Sequence, residues 1–308
     1  MNLKIVFKKT ENTLITEDKI LSFSFRKEAY TPYTAFSAVY AASFDRPVEF
    51  SEVMFYINDI LIHHGLVNSS EVKKDGRVYT GRISSRSFTS LLRQNQMEPG
   101  IYTQKSLNWL VDSFREIPYI THEDNSQESY FFIKKGATMW DAVVNLAYKV
   151  CDAYPYIRGA NCVNFNAPEN AVQFSYDERD MLENGFEVTE DRLVSHFHMA
   201  DIQGEYGQYE LTDTDVTDRQ IVRHRFFELD RQFLYNPQQA LTYRDSYASR
   251  GWRRYFCSYS GYRGEDLSDL AVLENSVSGR ICRIDIKGSS AGVTTEISVY
   301  NDKFYSID

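Results

Sequence analysis

The sequence predicts an α+β protein, mainly β, in which two small antiparallel β-barrels flank an α+β insert. Three observations predict it. Short runs of alternating apolar and polar residues fill the first part of the chain; helical spacing takes over after Ile83; and β patterning returns from residue 167, broken by one capped helix at about 237–250. The expected units are a first barrel over residues 1–84, an insert over 85–166 and a second barrel over 167–308. A chain of 308 residues holds roughly two compact domains. With 43% hydrophobic residues, 22 Tyr and 20 Phe against 15 Gly and 7 Pro, it is neither collagen-like nor disordered.

Taken in order, residues 20–26 (Ile-Leu-Ser-Phe-Ser-Phe-Arg) and 53–57 alternate as half-buried strands do, and Asn58-Asp59 supplies a turn before Ile60-Leu61-Ile62. Further strands are expected at 35–41 and 78–83, the latter after a polar turn at 72–76, and a small barrel closes such a set. Ser84 to Arg93 offers cap residues followed by Phe88, Leu91 and Leu92 at helical spacing. A second helix is predicted over 106–114 and a third over 138–150, where Thr138 caps an apolar stripe containing Trp140, Val143, Leu146 and Ala147. A strand pair follows at 154–158 and 161–165, joined at Gly159. Later strands are expected at 172–176, 193–198 and 220–222. Asn236-Pro237 then gives the cap and first-turn proline of a helix, and strands at 255–260, 280–286 and 293–300 close the chain.

The formal net charge is -9, which weighs against a duplex-DNA or RNA binder, because such proteins draw most of their affinity from neutralised phosphates. No window approaches the roughly 18 apolar residues of a membrane helix, and the first residues lack the apolar core of a signal peptide, so the product is expected to stay in the cytosol of its cell. The acidity is localised: residues 167–218 hold 14 acidic groups against Arg179 and Arg192 alone, and residues 219–254 hold 8 arginines against Glu228, Asp230 and Asp245. Two explanations stand open for this pair of blocks: solvated faces or pairing within one domain, or complementary surfaces meeting between subunits.

Motifs for chemistry are sparse. His196 and His198 share one face of a strand and, with His224, are the weak candidates for a metal site; no Cys or carboxylate stands at diagnostic spacing beside them. His63 and His64 point to opposite faces. Asp213 to Asp218 begins like a calcium loop but has Asp218 where glycine is needed and His224 in place of the terminal glutamate, so a solvated loop is expected. Cys151, Cys162, Cys257 and Cys282 lack close C-x-x-C spacing and read as reduced core thiols. No nucleophile elbow, phosphate loop or dinucleotide fingerprint is present; no catalytic residue and no cofactor are expected.

Three stretches carry a resemblance. They are residues 79–92, which pass from strand to helix; residues 132–143, Phe-Ile-Lys-Lys-Gly-Ala-Thr-Met-Trp-Asp-Ala-Val, with the strand pair ending Val163-Asn164-Phe165; and Tyr243-Arg244, Trp252-Arg253-Arg254 and the closing 281–300 hairpin. In this order they resemble the baseplate hub proteins of contractile phage tails, the late-control protein D family, related to the N-terminal part of VgrG. The resemblance implies two tube-type barrels side by side. It implies a homotrimer whose ring of six barrels joins a sixfold tail tube to a threefold spike. Its partners would be a tail spike protein and tail tube or baseplate proteins, and DNA would pass through the channel without specific binding. The place implied is the virion tail baseplate, after assembly in the bacterial host cytoplasm. The chain ends near residue 308 without a needle-base barrel, so a separate spike protein is expected to dock beneath the ring. An acidic wall repels sliding DNA. Asp177, Glu178, Asp180 and Glu183 are therefore expected to contribute to the lumen, and Arg244, Arg250, Arg253 and Arg254 to face a partner. A cell-wall hydrolase acting as a phage enters its host, needing only two juxtaposed carboxylates, and a polysaccharide-binding module stay open as alternatives.

Overall fold

Period-two alternation in the first segment folds, in this computed structural model, into strands β1 (Leu3–Lys9), β2 (Leu14–Glu17), β3 (Ile20–Glu28), β4 (Ala35–Ala41), β5 (Phe50–Ile57), β6 (Ile60–Asp75) and β7 (Val78–Ser87). The structure describes residues 1–44, 48–168, 170–229, 236–273 and 277–307; Glu169, Asp230 and Arg231 of the two charge blocks lie outside them. One expectation is corrected here. The turn predicted at 72–76 is strand as far as Asp75, and the chain reverses at Gly76, whose φ of 58° suits glycine. Polar side chains do not break a ribbon whose backbone pairs with β7 along its whole length. Ser85 Oγ binds the buried His63 at 2.8 Å and Ser87 Oγ accepts from the Thr34 N–H at 3.0 Å, holding both serines in β7, and the helical spacing of Phe88, Leu91 and Leu92 opens as a 3-10 turn over Phe88–Ser90.

The insert follows as α1 (Leu91–Gln94), β8 (Gly100–Lys105), α2 (Leu107–Asp112), β9 (Thr121–His122), β10 (Ser129–Ile133), α3 (Met139–Cys151), β11 (Tyr156–Arg158) and β12 (Cys162–Asn164). Thr138 and Asp141 form a reciprocal capping box at the start of α3, which buries Trp140, Val143, Leu146 and Ala147. The remaining chain gives β13 (Gln173–Ser175), β14 (Met181–Val188), β15 (His196–Met199), β16 (Tyr209–Thr212), α4 (Thr214–Thr217), β17 (His224–Phe227), α5 (Pro237–Ala248), β18 (Arg253–Ser260), β19 (Leu270–Val272), β20 (Ser278–Ser289) and β21 (Gly292–Tyr300). The strand predicted at 220–222 lies further on, because Gln220, at φ 61°, still closes the turn after α4.

Mostly antiparallel pairing organises thirteen of these strands into one sheet with the order β14-β18-β21-β20-β3-β4-β7-β6-β5-β1-β2, which β13 and β19 join beside β20, and the rest into three small sheets, β10-β8, β11-β12-β9 and β16-β15-β17. The join between its first and last parts is the antiparallel β3–β20 ladder, from Arg283↔Glu28 to Gly288↔Phe23. Both parts curl round one apolar core containing Phe7, Phe25, Phe36 and Phe55 from the first and Tyr259, Ile284, Ile286 and Ile297 from the last. A second core lies under the insert, where α3 and β10 pack with Phe197 and Met199 of β15 and with Ala240, Leu241 and Tyr243 of α5. The amphipathic insert helices thus share their apolar side with β15, β16, β17 and α5.

A buried polar knot ties the three parts together. Lys27, 4% exposed, donates to the Gly159 carbonyl of the insert at 2.8 Å and to Asp266. Arg158 donates to the Leu267 carbonyl and to Asp269, both at 2.7 Å. Burial lowers the Lys27 pKa, while the neighbouring Asp266 carboxylate opposes that shift.

The sheet contains an internal repeat. The strand path β3-β4-β7-β6 in the first part matches β14-β18-β21-β20 in the last, with hairpins β6–β7 and β20–β21 in the same place. Register irregularities coincide as well. The shift between Ile20 and Ser22 of β3 matches that between Met181 and Glu183 of β14, and the shift between Val67 and Ser69 of β6 matches that between Ile281 and Arg283 of β20. Bulges are costly local features, so two coinciding at equivalent places mark two copies of one unit. Among the described residues no helix is long and apolar enough to cross a membrane.

Candidate functional site on the open face of the joined sheet

The side of the sheet turned away from the core forms one polar surface, because alternation along each strand sends every second residue there. Across the β3–β20 join it carries Arg26, Asp285 and Arg283. Beyond them lie Glu296 of β21, Arg254 of β18 and Glu183 and Glu187 of β14 on one side, and Ser37, Ser84 and Ser69 on the other. Charges on this face are matched locally. Asp285 accepts from Arg26 Nε and from Arg283 Nε, each at 2.6 Å. Arg254 pairs with Glu187 at 2.7 Å and with Glu296 at 3.0 Å. Burial works against the Arg283 charge, but Asp285 beside it prevails and raises its pKa. At one end of the face a polar cavity of about 170 Å³ is lined by Glu28, Glu187, Arg192, Arg250, Arg254 and Arg283, among others.

The residues singled out from the sequence fall at different places. Asp177 and Glu178 are exposed in the turn between β13 and β14, and Glu183 is exposed on β14, opposite Ser258. Asp180 is held by Arg263, which donates to it at 2.9 Å. Arg254 is on the open face and Arg250 at its end, where its guanidinium lies 3.7 Å over the Tyr247 ring. Arg253 stacks on Trp252 at 3.9 Å, and Arg244 lies over Phe227 and Tyr243 on the side of the insert core. The two charge blocks meet within the chain at Arg254–Glu187 and Arg219–Glu190.

His196, His198 and His224 do come together. Parallel β15–β17 pairing sets His196 opposite His224, their rings stacked at 4.3 Å; His198 shares a 3.0 Å hydrogen bond with His224 and a 2.9 Å one with Glu210. Among the described residues, however, no group of three or more His, Cys, Asp or Glu is arranged to hold a metal ion. Asp213 caps α4, accepting from the Val216 N–H at 3.2 Å, and its other oxygen takes Lys303 at 2.7 Å, so it serves a structural ion pair. The four cysteines are free thiols; burial pushes the Cys257 thiol up to about 12.

Sequence reasoning missed the repeat and the Arg26–Asp285–Arg283 cluster. The two units share no residue motif, and the cluster joins positions more than half the chain apart. The weak signal was the alternation of Arg26 with Phe25 and of Arg283 and Asp285 with Ile284 and Ile286.

A sheet assembled from two like units, open on one polar face and carrying a lateral α+β insert, is a fold with counterparts among solved structures. Among solved structures, the chain is similar to a 43 kDa tail protein of a Shewanella oneidensis prophage, with 14% identity, a TM-score of 0.74 and coverage of 96% of this chain and 97% of that one. It is likewise similar to a tail protein from Neisseria meningitidis, with 12% identity, a TM-score of 0.75 and coverage of 99% and 98%. An E. coli type VI secretion component, described as structurally similar to T4 bacteriophage tail proteins, matches at 8% identity with a TM-score of 0.58, covering 94% of this chain and 75% of that one. No family model matches the chain, and no curated protein matches its sequence.

Proposed function

We propose that this chain is a structural baseplate hub of a contractile phage tail or related injection machine. Three copies form a ring of six tube-type units that joins a sixfold tail tube to a threefold spike. The observation that carries this reading is the internal repeat: with two like units already side by side in each chain, three chains supply six nearly equivalent positions. The open polar face lines the channel. Three of its arginines, Arg26, Arg283 and Arg254, are paired with Asp285, Glu187 and Glu296, which reduces their pull on a passing phosphate backbone, while the exposed Asp177, Glu178 and Glu183 repel it. DNA then passes without specific binding. The role is mechanical rather than catalytic, its partners are a spike protein and tail tube or baseplate proteins, and its place is the virion tail baseplate, reached after assembly in the host cytoplasm.

Electron cryomicroscopy of the purified chain, alone and with the spike and tube proteins encoded beside it, tests this. The expected particle is a threefold ring with six lobes around an open axis. Particles without an axial channel under both conditions contradict it.

A further inference from the structure

The repeat makes a positional prediction, because one of its two junctions is already formed. Within the chain, the second half of β20 pairs with β3. The equivalent strands are β6 and β14, and both have an open edge. β5 covers β6 only as far as Leu66; among the described residues, 69–75 pair with β7 alone and β14 with β18 alone. Unpaired edges of this length are templates for strand addition.

Matching the hairpin ends, Asp75↔Val78 with Ser289↔Gly292, and the coincident bulges fixes the correspondence. Val72 takes the place of Ile286, and Phe186 takes the place of Phe25. Ile286 and Phe25 face each other in the formed junction and are buried, at 0% and 3% exposure. Phe186 is 50% exposed and Val188, on the same side of the edge strand, is 40% exposed. The apolar pair that closes one junction thus has an apolar counterpart at the other, left largely exposed among the described residues. The edge regions also differ in charge. Residues 177–188 carry five acidic groups and one arginine, whereas residues 70–77 carry Lys73, Lys74 and Arg77 against Glu71 and Asp75.

We infer that residues 70–75 of β6 add antiparallel to residues 183–188 of β14 in the next copy of this chain, with Val72 opposite Phe186, making one continuous sheet round the ring. Lys73 then stands opposite Gly185 and Lys74 opposite Asn184. Glu71 meets Glu187, each beside an arginine of its own sheet, Arg82 and Arg254. A head-to-tail contact of this kind closes into a ring rather than a two-fold dimer. The inference rests on the ring reading above and adds its interface and register.

Engineered cysteines test it in the full chain. Directly opposed residues of an antiparallel pair fall within disulfide reach, while diagonal neighbours lie roughly 7–8 Å apart. On mild oxidation, Val72→Cys/Phe186→Cys is expected to give covalent trimers on a denaturing gel. A mixture of the two single variants is expected to give only mixed dimers, and the diagonal pair Ser70→Cys/Phe186→Cys at least tenfold less product. Trimers seen by native mass spectrometry without that cross-link, or a diagonal yield equal to the direct one, overturn the inference and leave the ring standing. Absence of trimers both alone and with the adjacent spike and tube proteins rejects the ring and the interface together.

Discussion

The two pairs of equivalent strand edges in the repeat are built alike, and one of them meets within the chain. At β3–β20 the edges of two units meet inside one chain, where Phe25 and Ile286 are buried and Asp285 sits between Arg26 and Arg283. At β6 and β14 equivalent edges end in solvent, with Phe186 half exposed. The same strand-edge chemistry therefore contributes to folding in one place and remains available for assembly in the other. Substitutions at equivalent positions should accordingly separate stability from association.

The largest effect is expected at the formed junction. Phe25→Ala removes a buried ring and should cost about 3–5 kcal/mol of unfolding free energy, measured by urea titration. A loss under about 1 kcal/mol would mean that the β3–β20 join does not hold the halves together. Asp285→Ala, which leaves Arg26 and Arg283 facing each other, should cost roughly 1–3 kcal/mol, reduced from the range for fully buried pairs because Arg26 is 55% exposed.

His63 sharpens the comparison from within the first unit. Full burial between Thr34 Oγ1 at 2.7 Å and Ser85 Oγ at 2.8 Å lowers its pKa from 6.5 to about 3. The unfolded chain therefore takes up a proton below pH 6.5 that the folded chain refuses until about pH 3, and stability falls as the pH drops through that window. Against His63→Gln, the native chain should lose on the order of 1 kcal/mol more per pH unit between pH 6 and 4; equal slopes in denaturation curves would refute the assignment. The smallest effect on folding belongs to the open edge. Phe186→Ala should shift unfolding by no more than about 0.5 kcal/mol while abolishing trimers by light scattering, and a large loss of stability would show that Phe186 serves its own fold.

Much of the architecture was legible where local chemistry decides it. Thr138 and Asn236-Pro237 marked helix starts, and alternation at 20–26, 35–41 and 281–300 marked strands. Extended structure at 72–75 was hidden because Lys73 and Lys74 face solvent, and the strand state of this stretch depends on pairing with β7. Short exposed strands such as β14 gave no apolar signal of their own. At the candidate site, the named acids and arginines were visible as composition, but their partners were not. Arg254 finds Glu187 and Glu296 only through the β14–β18–β21 ladders, and local patterning carries no information on such long-range register.

The central claim is that each chain brings two like units to a closed ring of three. Native mass spectrometry of the full chain over a concentration series, alone and with the adjacent spike and tube proteins, tests it most directly. The account predicts a species of three chains that Phe186→Ala removes; a monomer throughout, or a dimer or open-ended series in place of the trimer, would contradict it.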